Sequence, residues 1–221
     1  LLPASWRKRG SGLDLAIAAA ILAESGVVPG AAVAQSVFVG ELGLDGSVRP
    51  VTGVIATTLA ARDAGYQQVL VPVANAAEAA LVPGVSVGAI RDLAQLVQVL
   101  TGRTPLPDPP ASTESKPGPS LADLADVRGQ LEARRALEIA AAGGHHLSMM
   151  GTPGVGKTLI AERLPGILPP LTDAAALQAT AIASIAGLAD GCGLQRRPPF
   201  QAPHHTASKA SIIGGGRGSQ V

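Results

Sequence analysis

The stretch Gly151-Thr152-Pro153-Gly154-Val155-Gly156-Lys157-Thr158 constrains its surroundings more than any other in the chain. It matches G-x-x-x-x-G-K-[ST], a spacing in which a glycine-rich turn runs into a helix. Glycines let backbone N–H groups curl around phosphate oxygens, because side chains there would block the approach. The helix that follows offers a dipole and unpaired donors that favour anions. Lys157 supplies a cation for the β- and γ-phosphates, and Thr158 a hydroxyl for Mg²⁺. The pattern needs a strand before it and a helix after it. "HHLSMM", residues 145–150, is the strand candidate, and Lys157 to Leu164 the helix. Upstream, Gln130 to Ala142 reads as an amphipathic helix ending at Gly143-Gly144. ATP with Mg²⁺ is the expected ligand, seated on all eight residues from Gly151 to Thr158, with Thr158 on the metal.

The first hundred residues follow a different rhythm. Leu13 to Glu24 reads as a buried helix closed by Ser25-Gly26. Gln35 to Leu42 reads as a strand, with Asp45-Gly46 as a hairpin turn because both positions tolerate positive φ. Val54 to Ala64 is helical, with Gly65 suited to its C-cap. "QQVLVP" is a short buried strand, Asn75 caps a short helix to Leu81, "GVSVGAI" is another strand, and Asp92 to Leu100 another helix. This alternation predicts a layered α/β domain over 1–100. "TGRTPLPDPPASTESKPGPS", residues 101–120, is rich in Pro and Ser and lacks apolar periodicity, so it reads as a linker. Residues 121–221 then form the second domain, which carries the phosphate loop.

Composition narrows the surroundings. The net charge is +1, so bulk charge alone announces neither a nucleic-acid nor a membrane partner. No apolar run reaches the roughly 20 residues needed to span a bilayer. Cys192 is the single cysteine, which rules out an internal disulfide and a multi-cysteine zinc site and fits a reducing cytoplasm. The histidines come as His145-His146 and His204-His205. Neighbours on a strand point to opposite faces, so the expectation is that one of each pair is packed and hydrogen-bonded rather than metal-bound.

"DVRGQLEARRALEIAAAGGHHLSMMGTPGVGKT" resembles the opening of magnesium-chelatase-like AAA+ ATPases, and more narrowly the ComM/YifB group. The resemblance continues through "RRPPFQAPHHTASKASIIGGG" and covers the first domain, including "VFVGELGLDGSVRPVTGVIATTLAARDAGYQQVLVPVANAAEA". It implies an α/β chain with a partial Lon-like (S5-type) domain, a linker, and the start of a P-loop AAA+ domain. It further implies that Val127, Gly129 and Gln130 lie against the adenine, that the parent is a cytoplasmic hexameric ring, and that it moves on DNA during uptake and recombination. Arg196, Arg197, Phe200, His204, His205 and Lys209 are the candidate DNA contacts, since cations beside an aromatic suit a phosphate backbone and a stacked base. A neighbouring subunit is the competing partner for that loop. Two other functions stay open: a chelatase-type motor acting on a partner protein, and an inactive product.

The Lon resemblance raises the question of peptidase chemistry. Lon enzymes pair a serine with a lysine, and the matching position for that lysine is Ile55. Ser11, near the expected serine, then lacks a base and is an ordinary hydroxyl. Asp14 is expected to support a helix N-terminus. The sequence also reads as a piece cut at both ends. No apolar run ending in Asp-Glu follows the triple glycine, so the expectation is nucleotide binding without turnover.

Overall fold

A computed structural model of the chain describes residues 11–110, 122–188, 193–204, 206–209 and 212. The described residues of 1–120 and 171–196 form one compact unit, and those of 121–170 and 197–221 a second.

The first unit is built on a parallel sheet of three strands, β1 (Ser36–Phe38), β4 (Gln68–Pro72) and β5 (Ser86–Ile90), in the order β1-β4-β5. Val69 lies in register with Val37 on one side and Val87 on the other. Parallel strands need helical crossovers, which cover both faces and demand a strand apolar on both sides. Central β4, with the sequence QVLVP, meets that demand: all four residues after Gln68 are buried. Leu70 and Ile90 point into one layer with Leu15 and Ala19 of α1 (Asp14–Glu24) and Leu96 and Leu100 of α5 (Leu93–Leu100). Ala32 and Val33 of the short α2 (Gly30–Ala34) pack against the same layer. Val69, Val71, Val87 and Ala89 point the other way, onto Val54 and Ala61 of α3 (Val54–Asp63) and Ala76 and Ala79 of α4 (Val73–Ala79).

The predicted strand over Gln35 to Leu42 divides in two. β1 joins the parallel sheet, while β2 (Glu41–Leu42) turns away to pair antiparallel with β3 (Val48–Arg49). The hairpin turn forms at Asp45-Gly46, with Gly46 at φ 81° and the Asp45 carboxylate accepting from the Ser47 amide and hydroxyl. Asn75 does not cap α4, which begins at Val73. Its buried side chain instead accepts from the Val51 amide at 3.0 Å and donates to the Val51 carbonyl at 3.0 Å, tying the loop before α3 to α4. Asp14 opens α1, and its carboxylate accepts from the Leu42 amide at 3.5 Å.

Two segments lie elsewhere than the sequence boundaries suggest. Residues 101–110, assigned to the linker, run beside β5: the Ala89 amide donates to the Pro107 carbonyl at 3.1 Å, and Leu106 covers Gly88. The rest of that linker, 111–120, lies outside the described residues. Helix α9 (Asp173–Ile185), grouped by sequence with the phosphate loop, packs in the first unit against α3. Its buried stripe, Ala176, Thr180, Ala181 and Ser184, consists of small residues on one helical face, which lets the two helices approach closely. Ile55 is fully buried there with Val82 and Ala181, and the Gly53 amide donates to the Ser184 carbonyl at 3.1 Å.

The second unit consists, among its described residues, of α6 (Leu131–Gly143), α7 (Lys157–Ala161) and α8 (Leu164–Ile167), with a 3₁₀ turn at Leu124–Asp126. Leu124, Val127, Leu137 and Ile160 make its core. Residues 145–150 are not a strand, which corrects the expectation for "HHLSMM". A strand is defined by a ladder, and no described residue pairs with this segment. The predicted helix from Lys157 to Leu164 is likewise shorter, closing at Ala161 before a turn leads into α8.

Asp92 caps α5, its carboxylate accepting from the Gln95 amide at 2.7 Å. That bond, with the Arg91 side chain beside it, holds its pKa below the usual 3.8. A depressed carboxylate stabilises above the unfolded pKa and loses its contribution as pH falls through the folded one. Asp92→Ala should therefore cost about 1 kcal/mol at neutral pH. In urea denaturation, the gap to the parent chain should close as pH drops below 3.8.

Candidate functional site

The glycine loop is shaped from inside by Lys157. Its ammonium donates to the Gly151 carbonyl at 2.7 Å and to the Thr152 carbonyl at 2.9 Å. An ammonium has three N–H donors, so two anchor it to the loop and the third is left for an anion. Gly154 at φ 81° and Gly156 at φ 93° bend the backbone through a region that side chains disfavour. Gly156 is the N-cap of α7, its carbonyl accepting from the Ile160 amide at 3.0 Å. The amides of Lys157, Thr158 and Leu159 head that helix, where no carbonyl of an earlier turn can serve them. Pro153 and Val155 complete the loop, and Thr152 and Thr158 are exposed beside it.

Beside the loop lies an open groove of about 320 Å³. Ala133, Ala136, Met149 and Ile160 give it apolar walls, while Gln130, Glu132, Ser148 and Lys157 stand at its polar side. The volume and this mixture suit a ligand with a flat apolar part and an anionic part. Of the three residues expected against adenine, only Gln130 lines the groove. Val127 is 2% exposed and belongs to the core, and Gly129, at φ 70°, turns the chain into α6. The apolar walls were not foreseen from sequence. Their signal was present in Ala133 and Ala136, an i, i+3 pair on α6, but that spacing equally describes a core face.

The loop donors fit a phosphate chain, and the Thr158 hydroxyl fits a magnesium ligand held with it. The candidate DNA contacts divide between the two units. Arg196 belongs to the first unit, where its guanidinium pairs with Asp173 at 2.6 Å and its carbonyl accepts from the Leu171 amide at 2.8 Å. Arg197, Phe200, His204 and Lys209 fall in the second unit, with Phe200 and Lys209 exposed and the His204 ring 2.7 Å from the Thr206 hydroxyl. His205, Cys192 and residues 213–221, which include all three glycines of the triple-glycine run, lie outside the described residues. His145 and His146 are both exposed, against the expectation that one is packed, because no described residue pairs with 145–150 to form a sheet.

A family model described as magnesium chelatase, subunit ChlI, matches residues 123–221, and a second, subunit ChlI of Mg-chelatase, matches residues 1–75. The competence protein ComM of Haemophilus influenzae is 39% identical over 98% of this chain, and YifB of Escherichia coli is 37% identical over 98%. The chain belongs to the ComM/YifB group of magnesium-chelatase-like proteins. The protein Rv2897c of Mycobacterium tuberculosis is 49% identical over 99% of the chain. The chain spans 43% of the length of Rv2897c and of ComM, and 42% of YifB. No helix among the described residues is long and apolar enough to cross a membrane.

The backbone demand at Gly156 is testable apart from any ligand. A Cβ there meets nothing within 4 Å, so the cost of Gly156→Ala is conformational. It should destabilise the chain by about 1 kcal/mol or more in urea denaturation. Gly30→Ala, in open space and without positive φ, should be neutral or slightly stabilising.

Proposed function

We propose that this chain carries the nucleotide-binding part of an AAA+ ATPase motor, with Gly151 to Thr158 holding the triphosphate of ATP and Thr158 a Mg²⁺ ion. The observation that carries this is the Lys157 ammonium, held by the carbonyls of Gly151 and Thr152 at the head of α7. From there its remaining donor and the first helical amides converge on one anion. Bound Mg²⁺ would neutralise phosphate charge, and the groove walled by Ala133 and Met149 would take the base.

For the whole protein we infer action on DNA in the cytoplasm, as a homo-oligomeric ring. The support is membership of the group that contains ComM, a protein named for competence. Phe200 and Lys209, both exposed, are the residues of this chain best suited to that contact, with Arg196 and Arg197 as further cations nearby in sequence. The first unit is read as a Lon-like module without peptidase chemistry, because the position matching the Lon lysine is Ile55, fully buried against α9. The alternative is a motor that works on a partner protein, favoured by the chelatase-subunit description of both family models. Forked DNA retained by the full-length parent, with retention dependent on ATP, separates the two.

The binding claim has a direct test. Mg-ATP at about a hundred times its Kd should stabilise the chain by about 2.7 kcal/mol, seen as a rise in melting temperature. Lys157→Ala should abolish the rise. An equal rise in both proteins would remove the loop from the site.

A further inference from the structure

Gln130 is the single residue other than glycine with positive φ among the described residues, at φ 50° and ψ 40°. It follows Gly129, also at positive φ, so two consecutive left-handed residues swing the chain into α6. A side chain in that region is strained and persists only where the surroundings hold it. Gln130 is also the N-cap of α6, its carbonyl accepting from the Arg134 amide at 2.9 Å. N-caps ordinarily turn a short side-chain oxygen back onto the first amides of their helix. Gln130 makes no such cap bond. Its amide instead reaches across to the phosphate loop, where Nε2 donates to the Val155 carbonyl at 3.0 Å.

A strained backbone and a forgone cap at one residue are matched by one bond, and that bond ends on the loop. Val155 lies between Gly154 and Gly156, the two positions where the loop backbone bends through positive φ. Fixing its carbonyl fixes the peptide plane that carries the Gly156 amide. We propose that Gln130 is a positioning residue: it braces the Val155–Gly156 peptide so that the loop amides stay aimed at the phosphates, rather than reading the base. This rests on the phosphate-loop function proposed above.

The test uses the whole 221-residue chain, with Mg²⁺ and two probes, ATP and inorganic triphosphate, which has no base. Gln130→Gly removes the amide and keeps the left-handed backbone without strain. Gln130→Met keeps the length and removes the donor without adding a charge beside the phosphates. Both variants should weaken inorganic triphosphate by about three- to tenfold, and ATP by the same factor, as expected for one lost hydrogen bond. The Gly156 amide resonance should move in both. Weakened ATP with unchanged triphosphate would overturn the brace and assign Gln130 to the base. Unchanged affinity for both probes would also overturn it, whether or not the melting temperature falls. If the parent chain shows no Lys157-dependent binding of either probe, the phosphate-loop reading fails first and the brace fails with it.

Discussion

Among the described residues no strand pairs beside the loop between residues 151 and 158, which has to present its amides inward. Its shape therefore depends on bonds it makes to itself, and the ammonium of Lys157 makes two of them, to the carbonyls of Gly151 and Thr152. Those carbonyls stand at the start of the loop, and the lysine at its end. The contact ties the two ends together, and the intervening glycines supply the curvature. The core beneath, with Ile160 from α7 and Leu137 from α6, then fixes the helix that the loop enters. A charged side chain thus has a structural duty and a recognition duty at once. The two are compatible because an ammonium has more donors than either duty alone requires.

The front unit solves a different problem. Three short parallel strands give few ladder bonds, so its stability comes from covering both faces of β4. Leucines and isoleucine fill the layer under α1 and α5, whereas valines and alanines fill the layer under α3 and α4. The second layer is filled by smaller side chains, and the far side of α3 is covered by α9. That covering places Ile55 in a fully apolar setting. A lysine at this position would have to shed its charge or disrupt the packing.

Much of the front unit was legible because its signals are local. Alternating apolar residues, the Asp45-Gly46 turn and the helical run from Asp92 to Leu100 each specify structure within a few residues, and the elements formed close to the expected bounds. The split between β1 and β2 had only a weak local signal, Gly40 at the break, and the choice of partner belongs to the tertiary fold. Asn75 misled for a related reason: a residue type suited to capping was recruited to bind Val51 from within the helix. At the site, the motif announced the loop, but the roles divided in a way no motif shows. Val127 went to the core, Gln130 to the loop, and α9 to the other unit.

The docking of α9 has a consequence for how the chain comes into being. A nascent chain emerges from its N-terminus, and domains tend to fold as soon as their residues are available. Here the last wall of the front unit is made after the glycine loop, since Ser184 must reach back to Gly53. While the ribosome is still adding the residues between them, Ile55 and Val82 face water, and the front unit waits, unfinished, for a helix encoded on the far side of the motif it precedes.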